Sequence, residues 1–158
     1  MYRVGFGFDA HKFVEGGKVI LGGVEIPFEL GLSGHSDADV LSHAVCDALL
    51  GTIGAGDIGT HFPDSDPEYK GVSSLVFVKE ALALVRAEGY EIGNIDSVII
   101  CERPRISPHV PQIKDSLSQA MGIDNKAVSV KATTTDKMGF TGRGEGIAAY
   151  AVVLVEVR

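Results

Sequence analysis

The chain has 158 residues, 45% of them hydrophobic and 22% charged, with a formal net charge of −7; this is the size of one ordinary domain, able to bury roughly two-thirds of its unfolded surface without staples. Its 21 acids against 14 bases exclude a nucleic-acid groove, which needs a concentrated basic face, and no apolar run approaches the roughly 20 residues of a membrane-spanning helix. Cys46 and Cys101 lie far apart in apolar surroundings, which fits buried free thiols in a reducing compartment, the cytoplasm, rather than a disulfide framework.

Met1 to Gly5 reads as the start of a strand, with no basic leader and cleavage site. Alternation from Tyr2 to Phe8 predicts a strand that delivers Asp9 and His11 at its end, and Val19 to Pro27 predicts a hairpin turning at Gly22 and Gly23. From Asp37 to about Gly51, apolar residues recur at helical spacing, with Ser36 or Asp37 available as N-cap. This helix carries Asp39, His43 and Asp47 at i, i+4, i+8, a spacing that places all three on one stripe. Gly51 to Pro67 is rich in glycine and acids and is expected to be a functional loop, with Asp57-Ile58-Gly59 and His61-Phe62-Pro63-Asp64 as candidate substrate contacts.

A second amphipathic helix is predicted over Tyr69 to Glu88, stopped by Gly89, then a strand over Ile95 to Glu102. A third helix over about His109 to Met121, a strand over about Ala127 to Ala132 and a β-branched run over Ile147 to Val157 complete the chain. No repeat or linker interrupts residues 1–158. The order predicts a single-domain α+β sandwich: a mixed β-sheet with helices on one face. Its other face is too apolar for water and is expected to pack against copies of itself in a homo-oligomer.

Three polar segments hold most of the groups capable of chemistry: Phe8 to His11, Gly34 to Asp39 with His43 beyond it, and Lys131 to Asp136. Asp9, His11 and His43 supply two imidazoles and a carboxylate, the ligand set of a tetrahedral zinc whose fourth position stays open. Each also has an ordinary structural role available, as a polar strand end or a hydrogen-bonded helix histidine. Thr133, Thr134, Thr135 and Asp136 suit a phosphate with a hard divalent ion, or simply a polar strand exit. Arg143 is a turn residue or a phosphate clamp. Gly5-x-Gly7 and Gly54-x-Gly56 look like phosphate-loop fragments but continue into no fingerprint, so tight turns are the expected role.

Taken together, Gly7-Phe8-Asp9-Ala10-His11, the run Gly34 to His43, Asp57 to Asp64 and Lys131 to Gly146 resemble the 2-C-methyl-D-erythritol 2,4-cyclodiphosphate synthase family, in order and over essentially the whole chain. The resemblance implies a homotrimer with active sites between subunits, converting 4-diphosphocytidyl-2-C-methyl-D-erythritol 2-phosphate into the cyclic diphosphate and CMP. It implies zinc on Asp9, His11 and His43, and a second ion, Mg2+ or Mn2+, near Asp136. His35 and Thr134 would stabilise the transition state. Substrate contacts would come from Asp9, His11, His35, Ser36, Asp57, Ile58, Gly59, Phe62, Pro63, Asp64, Ser65 and Asp66, with Thr133 to Asp136 gripping the diphosphate. Cys101, Glu102, Arg103, Pro104, Arg105, Ile106 and Ser107 would form a cytosine pocket from backbone groups, and Phe140 and Arg143 occupy family positions assigned to substrate. Arg143 has an alternative place in a central trimer cavity that takes an isoprenoid phosphate.

Two features depart from the family pattern. Asp136 stands where the family has glutamate, shortening the reach by about 1.5 Å and making a bridging water an alternative to direct ligation. The segment Cys101 to Ile106 also differs from commoner versions. A zinc phosphoesterase on another nucleotide diphosphate, or a non-catalytic trimer binding isoprenoid phosphates, are the competing functions.

Overall fold

The computed structural model describes residues 1–158. Strands β1 (Tyr2–Val14), β4 (Gly31–Leu32), β5 (Tyr90–Ile100), β6 (Val128–Thr133) and β7 (Gly146–Val157) form a sheet of order β4-β1-β7-β5-β6. Only β5 and β6 run parallel, so the sheet is mixed, as expected. Strands β2 (Val19–Leu21) and β3 (Val24–Ile26) make the separate hairpin, and its turn falls on Gly22 and Gly23, whose φ values are +57° and +80°. Such left-handed backbone strains any residue with a Cβ.

Helices α1 (Val40–Thr52), α3 (Leu75–Ala87) and α4 (Val110–Met121) cover one sheet face, and a contiguous core of 34 residues lies between. None of the helices is long and apolar enough to cross a membrane. The opposite face presents Val4, Phe6, Phe8, Tyr150 and Val152, with Phe6 61% exposed. Phe6 and Phe8 flank Tyr150 at ring distances of 5.7 and 4.8 Å, a continuous apolar and aromatic surface.

The glycines of Gly5-x-Gly7 have a packing role. A Cβ at Gly5 would stand 1.8 Å from the carbonyl oxygen of Ala48, and one at Gly7 1.9 Å from that of Ala44. Their absence lets α1 lie directly on β1, with backbone against backbone. Alternation then turns Asp9 and His11 to the same face as the two glycines, beneath the start of α1.

Several boundaries differ from the sequence expectations. Strand β1 runs on to Val14 because β7 pairs with it as far as Lys12, so Asp9 and His11 lie within a strand, not at its end. The N-cap of α1 is Asp39, not Ser36 or Asp37. Its fully buried carboxylate accepts the N–H groups of Gly22, Gly23 and Ser42 and the Ser42 hydroxyl. Burial pushes its pKa up, against these four donors, which favour the anion. Asp39 therefore ties helix to hairpin and does not share the stripe of His43. Helix α3 begins at Leu75 rather than Tyr69; the preceding residues form a 3-10 turn (Pro67–Tyr69). The expected loop after Gly51 contains a short helix α2 (Ile58–His61), capped by Asp57.

Candidate active site

Strand β1 offers Asp9 and His11, α1 offers His43, and the three converge. Asp9 Oδ2 lies 2.9 Å from His11 Nε2 and 2.9 Å from His43 Nδ1, and the two ring nitrogens are 3.2 Å apart. Those edges approach the roughly 3.3 Å between neighbouring ligands around a tetrahedral zinc. Two imidazole nitrogens and a carboxylate oxygen facing one point therefore fit a divalent ion, and they are the cluster of metal-binding type in the molecule.

Burial works against a charged Asp9, but hydrogen bonds and attraction from His11 and His43 outweigh it and lower its pKa to about 2. Burial likewise works against a protonated His11, yet its bond and attraction to Asp9 raise its pKa above 6.5. His11 Nδ1 lies 2.7 Å from the carbonyl oxygen of Ser33. A carbonyl only accepts, so Nδ1 carries hydrogen; the protonated ring donates from Nε2 to Asp9, and the neutral ring turns the Nε2 lone pair to the cluster.

The triad floors a cavity of about 310 Å³ that Gly34, His35, Ser36, Ile58, Gly59, Phe62, Pro63 and Asp64 also line. His35 Nε2 donates to the carbonyl of Asp66 at 2.8 Å, pinning the loop to the helix entry. Asp57 accepts the N–H and hydroxyl of Thr60. Asp47, on the His43 side of α1, accepts the Ile58 N–H at 2.7 Å and so anchors this loop; burial raises its pKa. The sequence reasoning missed Tyr69 and Phe77, which close the cavity, and Ser74, which bonds His43 Nε2 at 2.8 Å. Ser74 precedes an apolar run, an N-cap signal hidden by starting the helix at Tyr69.

The remaining expected residues lie elsewhere in the chain. Thr133 aligns through Ile100 and Ala148 with Ala10, three strand steps away, about 14 Å. Residues in register point to the same sheet face. Thr133 and Ala10 thus share the uncovered face, whereas Asp9 and His11 point to the helix face. Glu102 Oε1 accepts the N–H groups of Thr135 and Lys137 at 3.2 and 3.1 Å, joining the Cys101 to Ser107 and Thr133 to Asp136 segments. Arg143 pairs with Glu145, and Phe140 is exposed. Burial raises the pKa of Cys101 to about 12, and raises that of Cys46 too, which favours the protonated thiol at both.

A family model described as the YgbB family matches residues 2–156. The chain belongs to the YgbB family. It is 56% identical over 154 residues to the 2-C-methyl-D-erythritol 2,4-cyclodiphosphate synthase of Geotalea uraniireducens, covering 98% of each chain. Among solved structures it superposes on the bifunctional IspDF of Campylobacter jejuni with a TM-score of 0.96 at 38% identity, covering 100% of this chain and 43% of that one. It also superposes on the CDP complex of IspF from Plasmodium falciparum, with a TM-score of 0.87, 34% identity and coverage of 99% and 97%. Membership of the YgbB family agrees with the resemblance drawn from the four motifs and with the mixed sheet covered by helices on one face.

Proposed function

We propose that this chain converts 4-diphosphocytidyl-2-C-methyl-D-erythritol 2-phosphate into 2-C-methyl-D-erythritol 2,4-cyclodiphosphate and CMP, in non-mevalonate isoprenoid synthesis. The observation that carries this reading is the convergence of Asp9, His11 and His43 on one point of a polar cavity, in a chain whose relatives bear the synthase name. An oxygen of the substrate's own 2-phosphate attacks the β-phosphorus. The new P–O bond closes the ring as the bond to the α-phosphate bridging oxygen breaks, and CMP leaves with that oxygen.

The nucleophile is already ionised at neutral pH, so the protein contributes position and charge neutralisation rather than proton removal. Zinc held by Asp9, His11 and His43, with magnesium or manganese near Asp136, would supply Lewis acidity at the diphosphate. His35 and Thr134 hydrogen-bond the diphosphate and stabilise the transition state, and Ser36 helps hold the substrate. Asp57 to Gly59 and Phe62 to Asp66 seat the sugar hydroxyls. Cys101 to Ser107 take the cytosine, Thr133 to Asp136 the diphosphate, and Phe140 and Arg143 complete the contacts. An isoprenoid phosphate near Arg143 belongs to the same reading.

The working unit of this reading is a homotrimer in the cytoplasm. Its support is the apolar face around Phe6, Phe8, Tyr150 and Val152, together with two half-sites that point to opposite faces of one sheet. Stacking copies face to face buries the aromatic surface. The free, buried thiols of Cys46 and Cys101 support the location. Incubation with the cytidyl substrate, zinc and magnesium, followed by phosphorus NMR, is expected to give CMP and the cyclic diphosphate. An open-chain diphosphate would instead mark a zinc phosphoesterase, and no turnover a binding protein.

A further inference from the structure

Ser74 occupies the N-cap position of α3 yet makes no capping bond with its side chain. It is fully buried. Its hydroxyl oxygen instead lies 2.8 Å from His43 Nε2 and 2.5 Å from Asp37 Oδ1, while its N–H reaches Asp37 Oδ2 at 3.2 Å. Asp37 is itself held at both ends: its N–H donates to the Val72 carbonyl, and its Oδ1 accepts the Asp39 N–H. A serine spared from capping and packed between an imidazole and a fixed carboxylate has a directional consequence.

We propose that Ser74 and Asp37 form a relay that sets the ring orientation and tautomer of His43 for metal binding; this rests on the reading of Asp9, His11 and His43 as a metal centre. The carboxylate of Asp37 only accepts, so the single hydroxyl hydrogen of Ser74 goes to it. The Ser74 oxygen then accepts from His43 Nε2–H. In the neutral ring that leaves the lone pair of His43 Nδ1, 2.9 Å from Asp9 Oδ2, free for a metal ion shared with that carboxylate. Ser36 Oγ also approaches His43 Nε2, at 3.1 Å, but it has no carboxylate behind it and is 3.2 Å from Ser74 Oγ, to which it donates. The two histidines are thus oriented by different means. His11 relies on the carbonyl of Ser33, which no substitution removes, whereas His43 relies on two side chains. Outer partners of this kind fix a ligand's tautomer and raise its basicity.

Zinc affinity, measured by competition with a chromophoric chelator, tests the relay without turnover. Ser74→Ala is expected to weaken zinc binding roughly 10- to 100-fold, Asp37→Asn to weaken it in the same direction, and Ser74→Thr, which keeps the hydroxyl, to restore most of it. Nitrogen-15 NMR of the zinc-loaded, unmodified protein gives an independent check, with hydrogen expected on His43 Nε2 and none on Nδ1. Zinc affinity of Ser74→Ala within about twofold of the unmodified protein would overturn the relay while leaving the metal centre standing, whereas hydrogen on Nδ1, which could not then ligate zinc, would overturn the relay and the role of His43 as a ligand together. Failure of the unmodified protein to hold zinc would overturn both.

Discussion

Asp9 lies between two imidazoles, and its charge is the residue-scale feature on which the site depends. Its pKa of about 2, below the ordinary 3.8, makes its contribution to stability complete above the ordinary value and lost as pH falls toward 2. The raised pKa of His11 works in the other direction: its contribution is complete below 6.5 and lost as pH rises through the raised value. In metal-free protein, the melting-temperature gap between the unmodified chain and Asp9→Asn is therefore expected to be widest between about pH 4 and 6.5. Thermal melts across pH check this, and a gap that grows steadily to pH 9 would contradict it. Asp136 is one methylene shorter than the glutamate that the family resemblance leads one to expect, and both it and Lys137 have positive φ, +52° and +66°. Asp136→Glu is expected to lower the magnesium concentration needed for half-maximal turnover, read from a metal titration at fixed zinc; an unchanged curve would remove this side chain from the ion's environment.

At the scale of elements, Asp39 carries more than a cap. Asp39→Ala would leave the buried N–H groups of Gly22 and Ser42, the part-buried N–H of Gly23 and a buried hydroxyl without an acceptor. The loss is expected to reach about 3 kcal/mol or more in urea unfolding, beyond the typical loss of about 1 kcal/mol for an exposed N-cap. Periodicity and turn chemistry placed the hairpin, α1, α4 and β7 within a few residues, because these elements bury one clear face. It failed at Asp39 because Ser36 and Asp37, the two expected caps, and Asp39 all carry capping side chains ahead of the same apolar run, and the distant Gly22–Gly23 turn is what holds Asp39 in that role. It failed at Tyr69 because the aromatic ring belongs to the cavity wall, against Phe62 and Phe77, and mimics the apolar face of a helix. The glycines at 5 and 7 resembled a phosphate loop in sequence, and only the approach of α1 to 1.8 and 1.9 Å of their absent Cβ atoms shows why they are there.

At the scale of the molecule, the metal half of the site was legible and its completion was not. Asp9 and His11 alternate onto the helix face with Gly5 and Gly7, so a strand pattern alone predicts that they share a side. Thr133 lies in register with Ala10, three strand steps off and on the face opposite Asp9 and His11, which no local pattern reveals. In the homotrimer proposed above, a second copy stacked on the aromatic face would bring such a segment to a neighbour's cavity. The direct measurement mixes two inactive variants, His43→Ala and Thr134→Ala, by co-refolding and reads cyclic diphosphate by phosphorus NMR. If each site joins two chains, random mixing regenerates intact sites and is expected to restore about one quarter of full activity. If each site lies within one chain, every site keeps one lesion, and a mixture as inactive as its components would contradict the assembled site.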